Sequence, residues 1–284
     1  MDDGGEAVPL TPFQQQLLSD LTHDRTTDSH LAGGAALHIA PNSLRYSNDL
    51  EFFHDSEARV ASTFAADRAR LNALGYTIKV ELSQPGFIRA IVRHGADETR
   101  VDWAHDSAWR FMPLVRDPVG GWLLHPVDLA INKMLALAGR DEPRDFVDIL
   151  FAHETILPVG ALCWAAVGKD PGFTPLSLLE LLKRRGRYRP EDFARLELVA
   201  AFDVVAAKSI WLAALSGADA FIRSRPPTEV GCLYWSAARQ GFVMPTREDD
   251  DAGAVRPHWG VPLGVLPQLH GTLRQPPQLM PPTE

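Results

Sequence analysis

Three segments, "YTIKVELS", "FIRAIVRHG" and "TRVDWAHD", follow one another between Tyr76 and Asp106 with only the turns "QPG" and "GADE" to join them. Each alternates apolar with polar residues, and a period of two sends alternate side chains to opposite faces of a strand. Links this short join antiparallel neighbours, so the three segments must form a meander. A meander with one apolar face needs other elements to cover it, and that requirement organises everything around it.

Upstream, "PLTPFQQQLLSDLTHD" spaces Phe13, Leu17, Leu18 and Leu21 as one face of a helix. A short strand is expected around His30 to Ala32, broken by Gly33 and Gly34, with "AALHIA" as a helix directly after the turn. Arg45 to His54 reads as a second strand. "SEARVASTFAADRARLNALG" reads as an amphipathic helix with Ser56 as its N-cap and Gly75 as its stop. The first half is therefore helix, strand, helix, strand, helix and meander, a small α/β sheet.

From about His125 the pattern turns helical, and Pro126, Pro143, Pro158, Pro175 and Pro190 each punctuate a new segment. The expected helices are "VDLAINKMLALAG", "PRDFVDILFAH", "LPVGALCWAAVG", "PLSLLELLKRRG" and "DVVAAKSIWLAALSGADAFIRS". Beyond Arg225, "GCLYWSAARQGFVMP" suggests a hairpin, "TREDDDAG" a solvated acidic loop and "QPPQLMPPTE" a flexible tail. This divides the chain into a core over 1–124, a helical domain over 125–225 and a Pro/Gly-rich extension over 226–284.

With 284 residues, 45% of them hydrophobic, there is enough material for a well-buried core. Cys163 and Cys232 are the two cysteines, so neither a disulfide framework nor a thiolate zinc site is expected. No run of about eighteen apolar residues occurs and the start "MDDGGEAVPL" is acidic, which sets the expectation of a cytoplasmic protein without a membrane partner. A net charge of -8 argues against unspecific coating of nucleic acid and leaves a local basic face open.

Within "NDLEFF", Asp49 and Glu51 leave the same face of a strand while Leu50 faces the other way. Adjacent carboxylates repel, and a cation between them relieves the repulsion. The plainer reading is the solvent-facing edge of a half-buried strand. Lys133 falls inside the apolar "LAINKMLAL", where it either lies on a polar stripe with Asn132 or meets an anion. In "GRDEPRDFVDIL", Asp145 and Asp148 share one helical face, and a salt bridge from Asp145 would orient Lys133 or Arg140. His105, His125 and the other histidines show no metal-ligand spacing.

The ordered blocks Gly33-Gly34, then Arg45-x-Ser47-x-Asp49-x-Glu51-Phe52-Phe53, then "VDLAINKMLAL" and "GRDEPRDFVDILF" resemble the AbiEii/AbiGii-type nucleotidyltransferase toxins, a branch of the polymerase-β-like superfamily. The resemblance covers roughly Phe13 to Phe221. It implies an α+β fold, with a small polymerase-β-like nucleotidyltransferase α/β core followed by a helical domain. It implies transfer of a nucleotide from an NTP, with Mg²⁺ or Mn²⁺, to tRNA, another RNA or a protein. The chain would then be the toxin half of a bacterial toxin–antitoxin or phage-defence pair, with a cognate antitoxin as partner.

By the same resemblance Asp49, Glu51 and Asp102 form the catalytic metal site, Asp102 also serving as base for the attacking hydroxyl. Gly33, Gly34, Arg45, Ser47, Lys133, Arg140, Arg144 and Asp145 would form the nucleotide site. Two positions depart from the family pattern: Ala35 stands where a hydroxyl residue follows the glycine, and Glu51 where the second acid is Asp. A catalytically silent nucleotidyltransferase-like module and an antibiotic-modifying nucleotidyltransferase are the alternatives on the same core.

Overall fold

The computed structural model describes residues 10–22, 25–39 and 43–267. The chain runs α1 (Pro12–Thr22), β1 (Ser29–Ala32), α2 (Gly33–Leu37), β2 (Asp49–His54), α3 (Glu57–Ala73), β3 (Thr77–Gln84), β4 (Phe87–His94) and β5 (Asp97–His105). Three short strands follow, β6 (Trp109–Arg110), β7 (Val115–Asp117) and β8 (Gly121–Leu123). Helices then dominate: α4 (Pro126–Arg140), α5 (Pro143–Thr155), α6 (Val159–Lys169), α7 (Pro175–Leu182), α8 (Pro190–Phe193) and α9 (Val204–Ser224). The chain ends in β9 (Leu233–Ser236), β10 (Gly241–Val243), α10 (Arg247–Asp251), β11 (Val255–His258) and β12 (Val261–Pro262). An α/β core followed by helices is the expected class.

Seven strands form the main sheet in the order β3-β4-β5-β2-β1-β8-β7. The meander is there, and β2 joins it parallel to β5, with Glu51 opposite Asp102 and Phe52 opposite Trp103. Period two then sorts the side chains. Leu50, Phe52, Ala90, Val92, Val101 and Trp103 are each 0% exposed and form one core with α1 and α3. Asp49, Glu51, Arg100 and Asp102, one position out of phase, leave from the opposite face. Trp103 locks the covering helix by donating Nε1–H to Asp67 of α3 at 2.7 Å.

A second core lies among α4, α5, α6, α7 and α9, joined by Phe111 and Met112 from the strand half. α9 is long and apolar enough to cross a membrane on length and composition. In the fold, its Ala207, Trp211, Ala214, Leu215, Ala218, Phe221 and Ile222 are buried in this core. The C-terminal segment returns to the first part of the chain: β12 pairs with β6, and His258 Nε2 lies 2.9 Å from the Phe111 carbonyl oxygen.

Several expectations are corrected. β2 begins at Asp49, because Arg45 leaves the strand path and makes an isolated bridge to Leu198. α2 starts at Gly33 itself and ends at Leu37, five residues in all, so the glycines are its first turn rather than a break before it. "TREDDDAG" contains a helix, α10, because Thr246 and Asp249 form a reciprocal capping box, with Asp249 only 7% exposed. The hairpin of β9 and β10 gains a third strand, β11. The "QPPQLMPPTE" tail lies outside the described residues.

Buried histidines make the sheet acid-sensitive. Burial, with the nearby cations Arg110, Lys169 and Arg25, pushes His30 down to about 3. Burial and Arg25 likewise push His54 down to about 4. Unfolded, both titrate near 6.5, so the unfolded chain binds more protons below that pH. Their stabilising contribution is complete above about pH 6.5 and is lost as pH falls toward 4, at about 1.4 kcal/mol per unit of depression. The melting temperature is therefore expected to fall steeply between those values. His30→Leu should flatten that slope, and an unchanged slope would remove His30 as a cause.

Candidate active site

The acid face of β2 meets the helical domain at α4 and α5. Asp49 is 5% exposed, and its Oδ2 accepts from Arg100 of β5 and lies 3.5 Å from Arg144 Nη1 of α5. Burial alone would raise the Asp49 carboxyl. The hydrogen bond and charge of Arg100, followed by Arg144 and Lys133, outweigh burial and hold it below its usual value. Ser47 Oγ donates to the Asp49 carbonyl oxygen at 2.9 Å, which fixes the turn into the strand.

Glu51 uses its extra methylene to reach sideways. Its Oε2 accepts from the Gly34 amide at 3.3 Å and lies where a Cβ on Gly33 would stand, 1.6 Å away. Gly33 also has φ +65, so both its conformation and its missing side chain are needed. Gly33→Ala is expected to destabilise the fold by about 1–2 kcal/mol from backbone strain and to expel the Glu51 carboxylate. Adding Glu51→Ala should recover the steric part, and a melting temperature equal to the parent's in Gly33→Ala alone would contradict this packing. Ala35 is 1% exposed and packs in the sheet core.

Behind the acids stands a buried ion cluster. Asp148 is 0% exposed and accepts from Arg45 Nε at 2.7 Å, Arg45 Nη2 at 2.8 Å and His38 Nε2 at 2.7 Å, with Lys133 Nζ at 2.9 Å. Burial would raise Asp148, and Lys133 and Arg45 together with these hydrogen bonds hold it well below the carboxylate range. His38 is pushed down by burial despite Asp148, so at neutral pH it donates as a neutral ring. Lys133, 5% exposed, would lose its proton to burial, but Asp148, Glu51 and Asp145 keep it raised. Asp145 accepts two hydrogen bonds from Arg140, at 2.6 and 2.9 Å, and lies 3.5 Å from Lys133 Nζ.

The structure thus gathers Asp49, Glu51, Gly33, Gly34, Ser47, Lys133, Arg140, Arg144 and Asp145 at one site, and gives Arg45 and Asp102 other partners. Of the two readings of Lys133 it takes the anion: Lys133 is bound to two carboxylates. Arg45, expected at the nucleotide, spends its guanidinium on Asp148. Asp102, although opposite Glu51 in register, has both oxygens held by Arg89 at 2.9 and 2.7 Å. Among the described residues no three His, Cys, Asp or Glu side chains are placed to share a metal ion. Both Asp102 oxygens are thus taken by the cross-strand Arg89, as Asp49 Oδ2 is taken by Arg100. As hard oxygen donors on one face, Asp49 and Glu51 by themselves suit a divalent cation, with the Gly33 turn leaving the space their carboxylates need.

Sequence reasoning missed Arg89, Arg100 and His38. The first two carried a signal, since alternation puts Arg89 opposite Asp102 and Arg100 opposite Asp49 on the faces where they meet. His38 carried none, because its partner is 110 residues away.

No family model matches the chain, and no curated protein matches it. Among solved structures the chain is similar to JHP933 from Helicobacter pylori, 16% identical over 73% of this chain and 90% of that one, with a TM-score of 0.48. It is also similar to MenT4, a nucleotidyltransferase toxin from Mycobacterium tuberculosis H37Rv, 17% identical over 76% of this chain and 83% of that one, with a TM-score of 0.48. Likeness at this level carries nothing about chemistry, which has to come from the cleft itself.

Proposed function

We propose that this protein is a nucleotidyltransferase that moves an NMP from an NTP to an RNA, with tRNA as the first acceptor to test, and that it acts as the toxin of a bacterial toxin–antitoxin or phage-defence pair. The carrying observation is that Asp49 and Glu51 leave one strand face with Arg144 3.5 Å from Asp49, and that Arg140 is held nearby on Asp145. Such a reaction forms a bond from an acceptor hydroxyl to the α-phosphorus and releases pyrophosphate, so charge on phosphate oxygens must be met throughout. Asp49 and Glu51 would hold Mg²⁺ or Mn²⁺, which when bound supplies neutralisation at the reacting phosphate.

The chain's own residues do the rest. Arg140 is raised by its hydrogen bonds to Asp145, outweighing burial, and its side chain is 43% exposed, so it stays charged and open to a phosphate. Arg144, 31% exposed, reaches to 3.5 Å from Asp49 Oδ2 and would meet a phosphate held beside that carboxylate. Lys133 is locked by Asp145 and Asp148 and serves the site as a fixed positive field near Glu51. The test is to incubate the purified protein with each labelled NTP, Mg²⁺ and total tRNA and to follow label into RNA. A second reading, a binding module without chemistry, is favoured by the closure of Asp102 on Arg89. It predicts that NTP binds and no label moves.

A further inference from the structure

A second cationic feature lies outside the cleft. "KRRGRYR", Lys183 to Arg189, holds five cations in seven residues of a chain whose net charge is -8. The segment borders a cavity of about 420 Å³ between the end of α7 and α9, lined by Lys183, Arg185, Gly186, Arg187, Lys208 and Trp211. Lys183 is answered by Glu180 at 2.7 Å and Asp219 at 3.2 Å. Arg187 and Lys208 have no carboxylate partner among the described residues. Trp211 is 2% exposed, yet its Nε1–H meets no acceptor. It lies against Gly186, where a Cβ would come within 3.0 Å of Nε1. A buried donor without an acceptor is costly, and here it sits on the wall of a cavity that also presents unpaired cations.

We propose that this groove holds the phosphate backbone of an RNA, the acceptor in the reaction proposed above, on which reading the assignment of its role rests. Arg187 and Lys208 are both charged donors, which selects a ligand with several anionic oxygens. Five cations in a seven-residue segment beside the groove fit the repeated charges of a nucleic acid strand better than one free phosphate. The segment is also tied to the end of α4. Arg185 Nη1 lies 3.3 Å from Asp141 Oδ2, and Tyr188 Oη donates to Asp141 Oδ1 at 2.5 Å. Asp141 directly follows Arg140, whose guanidinium points at Asp145 in the cleft. The groove is thereby tied through Asp141 to the helix that carries Arg140.

The experiment measures binding of labelled tRNA to the full chain in EDTA without NTP, over a series of salt concentrations. The Arg187→Ala, Lys208→Ala double variant is expected to bind about tenfold more weakly at low salt and to lower the slope of log affinity against log salt by about 1.5 to 2. Parental affinity and slope in the double variant would overturn the proposal. So would millimolar inorganic phosphate raising the melting temperature of the parent but not of the double variant while tRNA affinity stays the same, because the groove would then serve a free anion. Binding without nucleotide separates this from the catalytic reading. Lost tRNA binding in the double variant with no label transfer by the parent sinks the transferase alone. Label transfer with unchanged tRNA affinity in the double variant sinks the groove alone.

Discussion

Asp148→Asn is expected to lower the melting temperature by roughly 10 °C, the largest stability effect of any single substitution in the cleft. Asp148 is fully buried and answers two cations, Arg45 and Lys133, while His38 donates to it. Removing its charge leaves Arg45 and Lys133 facing each other in a dry site, where losing one partner of a buried pair costs about 3–5 kcal/mol. Water cannot easily reach them, since their side chains are only 6% exposed. Lys133→Met on the Asp148→Asn background should recover part of the loss, because it removes one stranded charge and keeps the volume. Calorimetry on the two single variants and the double measures this coupling. A drop of under about 2 °C for Asp148→Asn would show that the cluster is not the joint between sheet and helices.

Asp49→Asn carries the largest expected effect on activity. Label transfer from NTP to RNA should fall on the order of 10³-fold, since the carboxylate offered to the cation is lost while the shape is kept. Stability should change little. The cations left behind, Arg100 and Arg144, are 33% and 31% exposed and turn to water, unlike the buried partners of Asp148. The Mg²⁺-dependent rise in melting temperature with NTP should vanish in the same variant. Transfer that survives Asp49→Asn would move the chemistry to other residues. A parent that binds NTP with Mg²⁺ and transfers nothing would favour the silent module, with the hold of Arg89 on Asp102 as its structural counterpart.

These two substitutions separate what local pattern could disclose. Asp49 was legible because a strand has a period of two, and two acids two apart must share a face. Asp145 was legible because only two residues link the end of α4 to the start of α5, which keeps it near Arg140, and it accepts from that residue. The role of Asp148 was not, because its partners Arg45 and His38 lie 103 and 110 residues away. The helical reading of α10 was hidden by its charge, since "EDD" looks solvated until Thr246 and Asp249 cap each other.

The sequence by itself determined the meander, the covering helices, the capped starts of α3 and α4, and the common face of Asp49 and Glu51, because each depends on residues within a few positions of one another. Only the tertiary structure decided which charges are free. Asp102 was closed by a strand neighbour 13 residues away, and Arg45 was drawn from the expected nucleotide site into the interior. Tertiary contact likewise made Lys133 an internal partner rather than a surface one. The reason is physical: periodicity sets the side of an element from which a charge leaves. Whether that charge meets solvent, a ligand or an opposite charge depends on elements that folding brings against it from far along the chain.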